Sequence, residues 1–112
     1  MTSQRRCFAY EKNIVINALY DTIEALGLSL ESSNSMRGTL IVSDTNHTGK
    51  MRIALSFDAV RKQTQVEIYP VDSGINITEV WSTVVLDELS GRMEYLHQFV
   101  RESSNGLYGT KH

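Results

Sequence analysis

Three histidines, one cysteine and thirteen carboxylates are the side chains with chemistry to offer in this chain. Metal binding or general-base work asks for partners at set spacings, such as two histidines four residues apart on a helix. His47 falls in a polar loop, His97 in a helical pattern and His112 at the terminus, none beside ligands at such a spacing. His97 shares one turn with Glu94 and Arg101, which i to i+4 pairing explains without catalysis. Cys7 is a nucleophile only beside a base such as His47, and no local motif supplies one. The carboxylate neighbours Asp21 with Glu24 and Asp87 with Glu88 belong to outer helix faces. General acid–base catalysis needs a carboxylate whose pKa is raised by burial, which a solvated face does not provide. Gly38 and Gly49 are isolated, whereas a phosphate cradle needs clustered glycines joining a strand to a helix. The expectation is a protein with no catalytic, metal-binding or cofactor-binding residues.

Binding is the remaining class of function. Arg5-Arg6 and Arg61-Lys62 are short basic pairs, and Arg37, Lys50 and Arg52 are expected to gather at one end of the sheet. Recognition of single-stranded nucleic acid on a sheet needs exposed aromatics between such cations. The outward positions Thr39, Ala54, Ser56 and Gln65 are not stacking platforms, leaving only Tyr69 and Tyr10. A net charge of -2 and a pI of about 5.9 add no pull toward phosphates, so nucleic acid is disfavoured as a partner. Trp81, Tyr95 and Phe99 are the best partner-contact candidates, because large aromatics anchor protein interfaces. For Trp81 the competing account is closure of one end of the core.

Those residues need a scaffold, and composition bounds it. A chain of 112 residues with 41% hydrophobic content is one domain with a core that needs no staples. A single cysteine cannot close an intramolecular bridge, which fits a reducing compartment. The start Met-Thr-Ser-Gln-Arg-Arg-Cys-Phe lacks a signal peptide's apolar run, and no segment approaches a membrane span. A cytoplasmic location without a membrane partner is expected. The glycosylation triplets at Asn46 and Asn76 carry little meaning without secretion.

Apolar spacing places the elements. Arg5 to Tyr10 forms a first strand, with Arg6, Phe8 and Tyr10 on one face. From Glu11 to Leu26 the period becomes helical, with Ile14, Ala18, Leu19, Thr22, Ile23 and Leu26 on one stripe. Gly27 ends this helix, where a left-handed conformation costs glycine least. Leu28 to Glu31 and Thr39 to Ser43 alternate around a turn at Asn34–Gly38. Met51 to Asp58 is the clearest strand, with Met51, Ile53, Leu55 and Phe57 on one face. Thr64 to Tyr69 carries Val66 and Ile68 inward, and Pro70 marks a strand end. A second helix starts near Asn76 or Thr78 and carries Leu86, Leu89, Met93, Leu96 and Val100 in steps of three and four. Gly91 interrupts it at a cost of about 1 kcal/mol relative to Ala, which points either to close packing or to drift.

The predicted fold is α+β: a small antiparallel sheet of four to five strands, with an N-terminal helix and a long C-terminal helix packed on one face. Residues 1–102 form a single domain and 103–112 a flexible C-terminal tail. The second helix outruns the strands: Thr78 to Arg101 spans about 36 Å, whereas Met51 to Asp58 spans about 26 Å. Its far end, with Tyr95, Leu96, Phe99 and Val100, therefore folds under the first helix or meets another chain.

The string Ala18-Leu19 … Leu26-Gly27-Leu28 … Gly38-Thr39-Leu40-Ile41-Val42 resembles a recurrent bacterial pattern. In it a helix ends in a leucine–glycine pair, followed by a strand, a turn and a glycine-led strand. Such helix–three-strand–helix modules occur in outer-membrane β-barrel assembly lipoproteins of the BamC type and in small proteins of unknown function. The resemblance covers roughly Glu11 to Leu96 and implies a small antiparallel sheet with a long helix across one face. Neither a signal peptide nor a lipid-accepting cysteine motif accompanies it here, so no lipoprotein role and no functional residues carry over.

Two functions follow from this scaffold. The first is a non-enzymatic interaction module that binds protein, itself included, through the long C-terminal helix. The alternative is a carrier of small apolar ligands, in a helix-grip-like arrangement with Leu40, Leu55, Phe57, Ile68 and Met93 lining a cavity. Those five residues are also what a filled core needs.

Overall fold

The computed structural model describes residues 4–44, 49–71 and 78–109, with side chains described at 4–44, 49–71 and 80–96. The glycosylation triplets and the side chains of His47, His97, Phe99 and His112 lie outside these. In chain order the elements are strand β1 (Gln4–Phe8), helix α1 (Lys12–Ala25), strands β2 (Ser29–Asn34), β3 (Thr39–Ser43), β4 (Lys50–Asp58) and β5 (Gln63–Pro70), and helix α2 (Thr78–Gly109).

The five strands form one antiparallel sheet in the order β1-β5-β4-β3-β2. Strands β2 to β5 meander through local hairpins, and the N-terminal β1 pairs with the last strand, Gln4 opposite Ile68 and Phe8 opposite Thr64. Alternation in β4 buries Met51, Ile53 and Leu55 and turns Arg52 and Ser56 to solvent. With Leu40, Val42, Val66 and Ile68 they form a continuous apolar floor. Both helices cover it, α1 over the centre and the β2 side, α2 over β1 and β5. The opposite face is open and polar, and there Arg52 stacks over its cross-strand neighbour Tyr69, 5.9 Å from the ring centroid.

Local chemistry explains where elements stop. Gly27 adopts φ 76°, and Leu28 N–H donates to Ile23 O at 3.0 Å while Gly27 N–H donates to Glu24 O at 3.1 Å. These are the paired hydrogen bonds of a Schellman ending. Between β4 and β5 the backbone turns without glycine: Lys62 takes φ 58°, and its N–H donates to Asp58 O at 2.7 Å. Asp58 Oδ1 holds the turn by accepting from Val60 N and Arg61 N.

Several expectations are corrected. On α1 the buried residues are Val15, Ile16, Leu19, Thr22 and Ile23, while Ile14 is 36% exposed and Ala18 and Leu26 are half-buried. The helix is pressed between sheet and α2, so its buried arc is rotated toward the sheet and Ile14 is left at the margin. Thr22 is tolerated inside because its hydroxyl donates to Ala18 O at 2.8 Å. Phe57 is 41% exposed rather than buried, although it keeps the face of Leu55 and of its buried cross-strand partner Thr64. β1 ends at Phe8 instead of Tyr10, where Tyr10 N–H donates back to Phe8 O. Strand β2 extends to Asn34, with its register shifted between Leu30 and Ser32. Helix α2 runs from Thr78 to Gly109.

Candidate functional site

Two helices laid side by side on a sheet leave a furrow between them, and its depth depends on the side chains along the seam. Here the furrow between α1 and α2 is a groove of about 730 Å³. Ile14 and Ala18 form its α1 wall, and Gly91, Tyr95 and Leu96 its α2 wall. A Cβ placed on Gly91 would meet nothing within 4 Å among the described residues. Close packing within the chain therefore does not account for this glycine, and its effect is to lower the α2 wall. Tyr95 is 71% exposed, so the groove opens outward, away from the sheet.

The rim is acidic. Asp21 on α1 and Asp87 and Glu88 on α2 line one end. Arg92 stands in the same wall, its Nη2 3.4 Å from Glu88 Oε2 one turn away. Arg92 Nε is buried without a hydrogen-bond partner among the described residues. Asp87 accepts from Arg6 Nη1 at 3.1 Å, and the same Arg6 nitrogen donates to Ser90 Oγ at 2.8 Å. These contacts tie α2 to β1 and fix the face that α2 presents to the groove. An apolar trough with carboxylates at one end is suited to holding an amphipathic rod.

A second cleft of about 480 Å³ lies where α2 passes over the edge strand β1, with Phe8, Tyr10 and Met93 in its walls and Glu94 on its lip. Tyr10 OH is buried there without a partner among the described residues. A third, of about 190 Å³, is polar and brings Cys7 beside Ser56, Asp58 and Arg61. Cys7 is exposed and unbridged. Among the described residues no group of three or more His, Cys, Asp or Glu is placed to hold a metal ion.

The residues singled out in the sequence fall in different places. Tyr95 sits on the groove. Trp81 is half-buried against the core at the start of α2, and Phe99 lies outside the described side chains. Leu40, Leu55, Ile68 and Met93 are buried in the core, and Leu40, Leu55 and Ile68 line none of the three clefts above. Phe57 borders the polar cleft with Cys7. Sequence reasoning missed the groove itself: Ile14 counted as core, and Asp21, Asp87 and Glu88 as a solvated surface. The one available signal was Gly91, an expensive residue in a helix interior. No described helix is long and apolar enough to cross a membrane. Comparison with protein-family models and with curated proteins finds no match.

Proposed function

We propose that this protein is a non-enzymatic interaction module that binds protein by self-association through α2. The observation that carries the reading is the length of that helix. Its 32 residues extend about 48 Å at ~1.5 Å each, whereas the longest strand, β4, reaches only about 30 Å. α1 ends its cover sooner still: Ile14, in its first turn, borders the same groove as Tyr95 and Leu96. Residues 97–109 therefore run on beyond the two-layer body, and Phe99, Val100 and Leu107 lie in that sequence. Most helical stability in proteins comes from packing of an amphipathic face, so an extension of this kind gains from a surface to pack against. A second protein surface supplies that packing.

Sedimentation velocity and light scattering on the full chain test this reading across a wide concentration range. A mass of twice the chain, shifting to one chain on dilution, is the expected result. A single-chain mass up to the solubility limit, with α2 helical throughout by hydrogen exchange, overturns it.

A further inference from the structure

We propose that the outer edge of β1 takes up an extended segment of another protein as an added strand, and that the cleft beside it seats that segment's side chains. This site stands apart from the self-association proposed above, which uses α2. Arg6, Cys7 and Phe8 of β1 line the cleft of about 480 Å³ together with Ala9 and Tyr10. Successive side chains of a strand point to opposite faces, so consecutive residues border one cleft only where the edge of the strand faces it. β1 ends the sheet, paired with β5 on one side and with no described strand on the other. Its outer row of N–H and C=O groups is a template of fixed spacing, and an extended chain is the ligand that matches it. The two edges of the sheet differ. β2 is interrupted by a register shift between Leu30 and Ser32, an irregularity of the kind that blunts an edge, whereas β1 keeps unbroken register from Gln4 to Phe8.

The cleft sets the chemistry of the segment. From Arg6 to Tyr10 is four residue steps, about 13 Å at ~3.3 Å each. Two side chains of an added strand, two residues apart and facing α2, fit along that length. One meets the apolar wall of Phe8 and Met93, and the other meets Glu94, exposed on the lip. Charge selects the second. Arg6 is already held by Asp87 at 3.1 Å and by Ser90 at 2.8 Å, whereas Glu94 has no ion pair among the described residues. The uncompensated charge of the cleft is one carboxylate, and a lysine or arginine answers it. A second copy of β1 fits less well. Two β1 strands in full antiparallel register set Arg6 opposite the partner's Arg6, and like charges directly opposite are destabilising. The occupant is thus a foreign extended segment with an apolar residue and, two positions away, a basic one.

The probe is the peptide acetyl-Thr-Thr-Val-Thr-Lys-Thr-Thr-amide, whose valine and lysine share a face, against its analogue with glutamate for lysine. Amide chemical shifts and hydrogen exchange of the full chain report where each peptide sits. The lysine peptide is expected to saturate, to slow exchange at outward amides between Gln4 and Ala9, and to bind roughly threefold or more tightly than the analogue. Glu94→Lys, at an exposed position of α2, is expected to reverse that preference. Three results overturn the proposal: no protection of β1 by either peptide up to its solubility limit, protection at β2 instead, or a preference that Glu94→Lys leaves unchanged. Slow exchange at the same amides in the concentrated protein without peptide, lost on dilution, assigns the edge to a second copy and overturns it equally.

Discussion

Gly38 gives the sharpest test of the packing at the α1 end of the sheet. It adopts φ 76°, and a Cβ there would lie 2.5 Å from Lys12 Cε and 2.8 Å from Leu55 O. The two contacts differ in kind. Among the described residues Lys12 is held by its Nζ donating to Met36 O at 3.3 Å, so its chain swings aside at little cost. Leu55 O cannot retreat, because Leu55 N–H donates to Gly38 O at 2.7 Å and the residue sits inside the β4–β5 ladder. The left-handed backbone costs an L-residue about 1–2 kcal/mol. Overpacking against a fixed backbone oxygen adds about 1–3 kcal/mol. Gly38→Ala is expected to lose about 2–5 kcal/mol, lowering Tm by roughly 8–20 °C at ~4 °C per kcal/mol. Urea and thermal melts read this, with Gly27→Ala as control, since Gly27 has the same φ. The reasoning is refuted if Gly38→Ala costs no more than the control, or if adding Lys12→Ala restores the whole loss.

Other outcomes follow from the turn and the core. Lys62→Gly relieves the positive φ at an exposed position and is expected to stabilise the chain by up to about 1 kcal/mol, the gain being trimmed by glycine's greater freedom when unfolded. Asp58→Ala removes the acceptor for Val60 N and Arg61 N and is expected to cost about 1 kcal/mol in urea melts, with faster hydrogen exchange at Val60. Leu89→Ala, at a fully buried position of α2, is expected to cost about 2–5 kcal/mol, far more than any change at the exposed Val84.

Much of this architecture was written in local pattern. β4 was readable because one face is dry and the other wet, which forces strict alternation at Met51, Ile53 and Leu55. β3 matched to the residue for the same reason. α1 was placed correctly but rotated in its buried arc, since a helix touching both a sheet and another helix buries residues that no single stripe predicts, here Val15 and Ile16. The hairpin between β4 and β5 hid its chemistry, because a lysine occupies the left-handed position where glycine is the usual signal. The pairing of β1 with β5 is a long-range contact to which nothing in either strand points. The groove was least legible of all. It belongs to two helices jointly, and its carboxylates look like any hydrated surface until Ile14 and Tyr95 are found lining the same groove.

That union of the first strand with the last has a consequence for how the chain assembles. The hairpins from β2 to β5 can zip as soon as they are synthesised, but β1 must wait, untethered, until β5 has emerged. Until then the free border of β5 is a seam of unpaired backbone N–H and C=O groups open to any other strand. A chain deprived of its opening residues would keep that seam for life and be prone to clump.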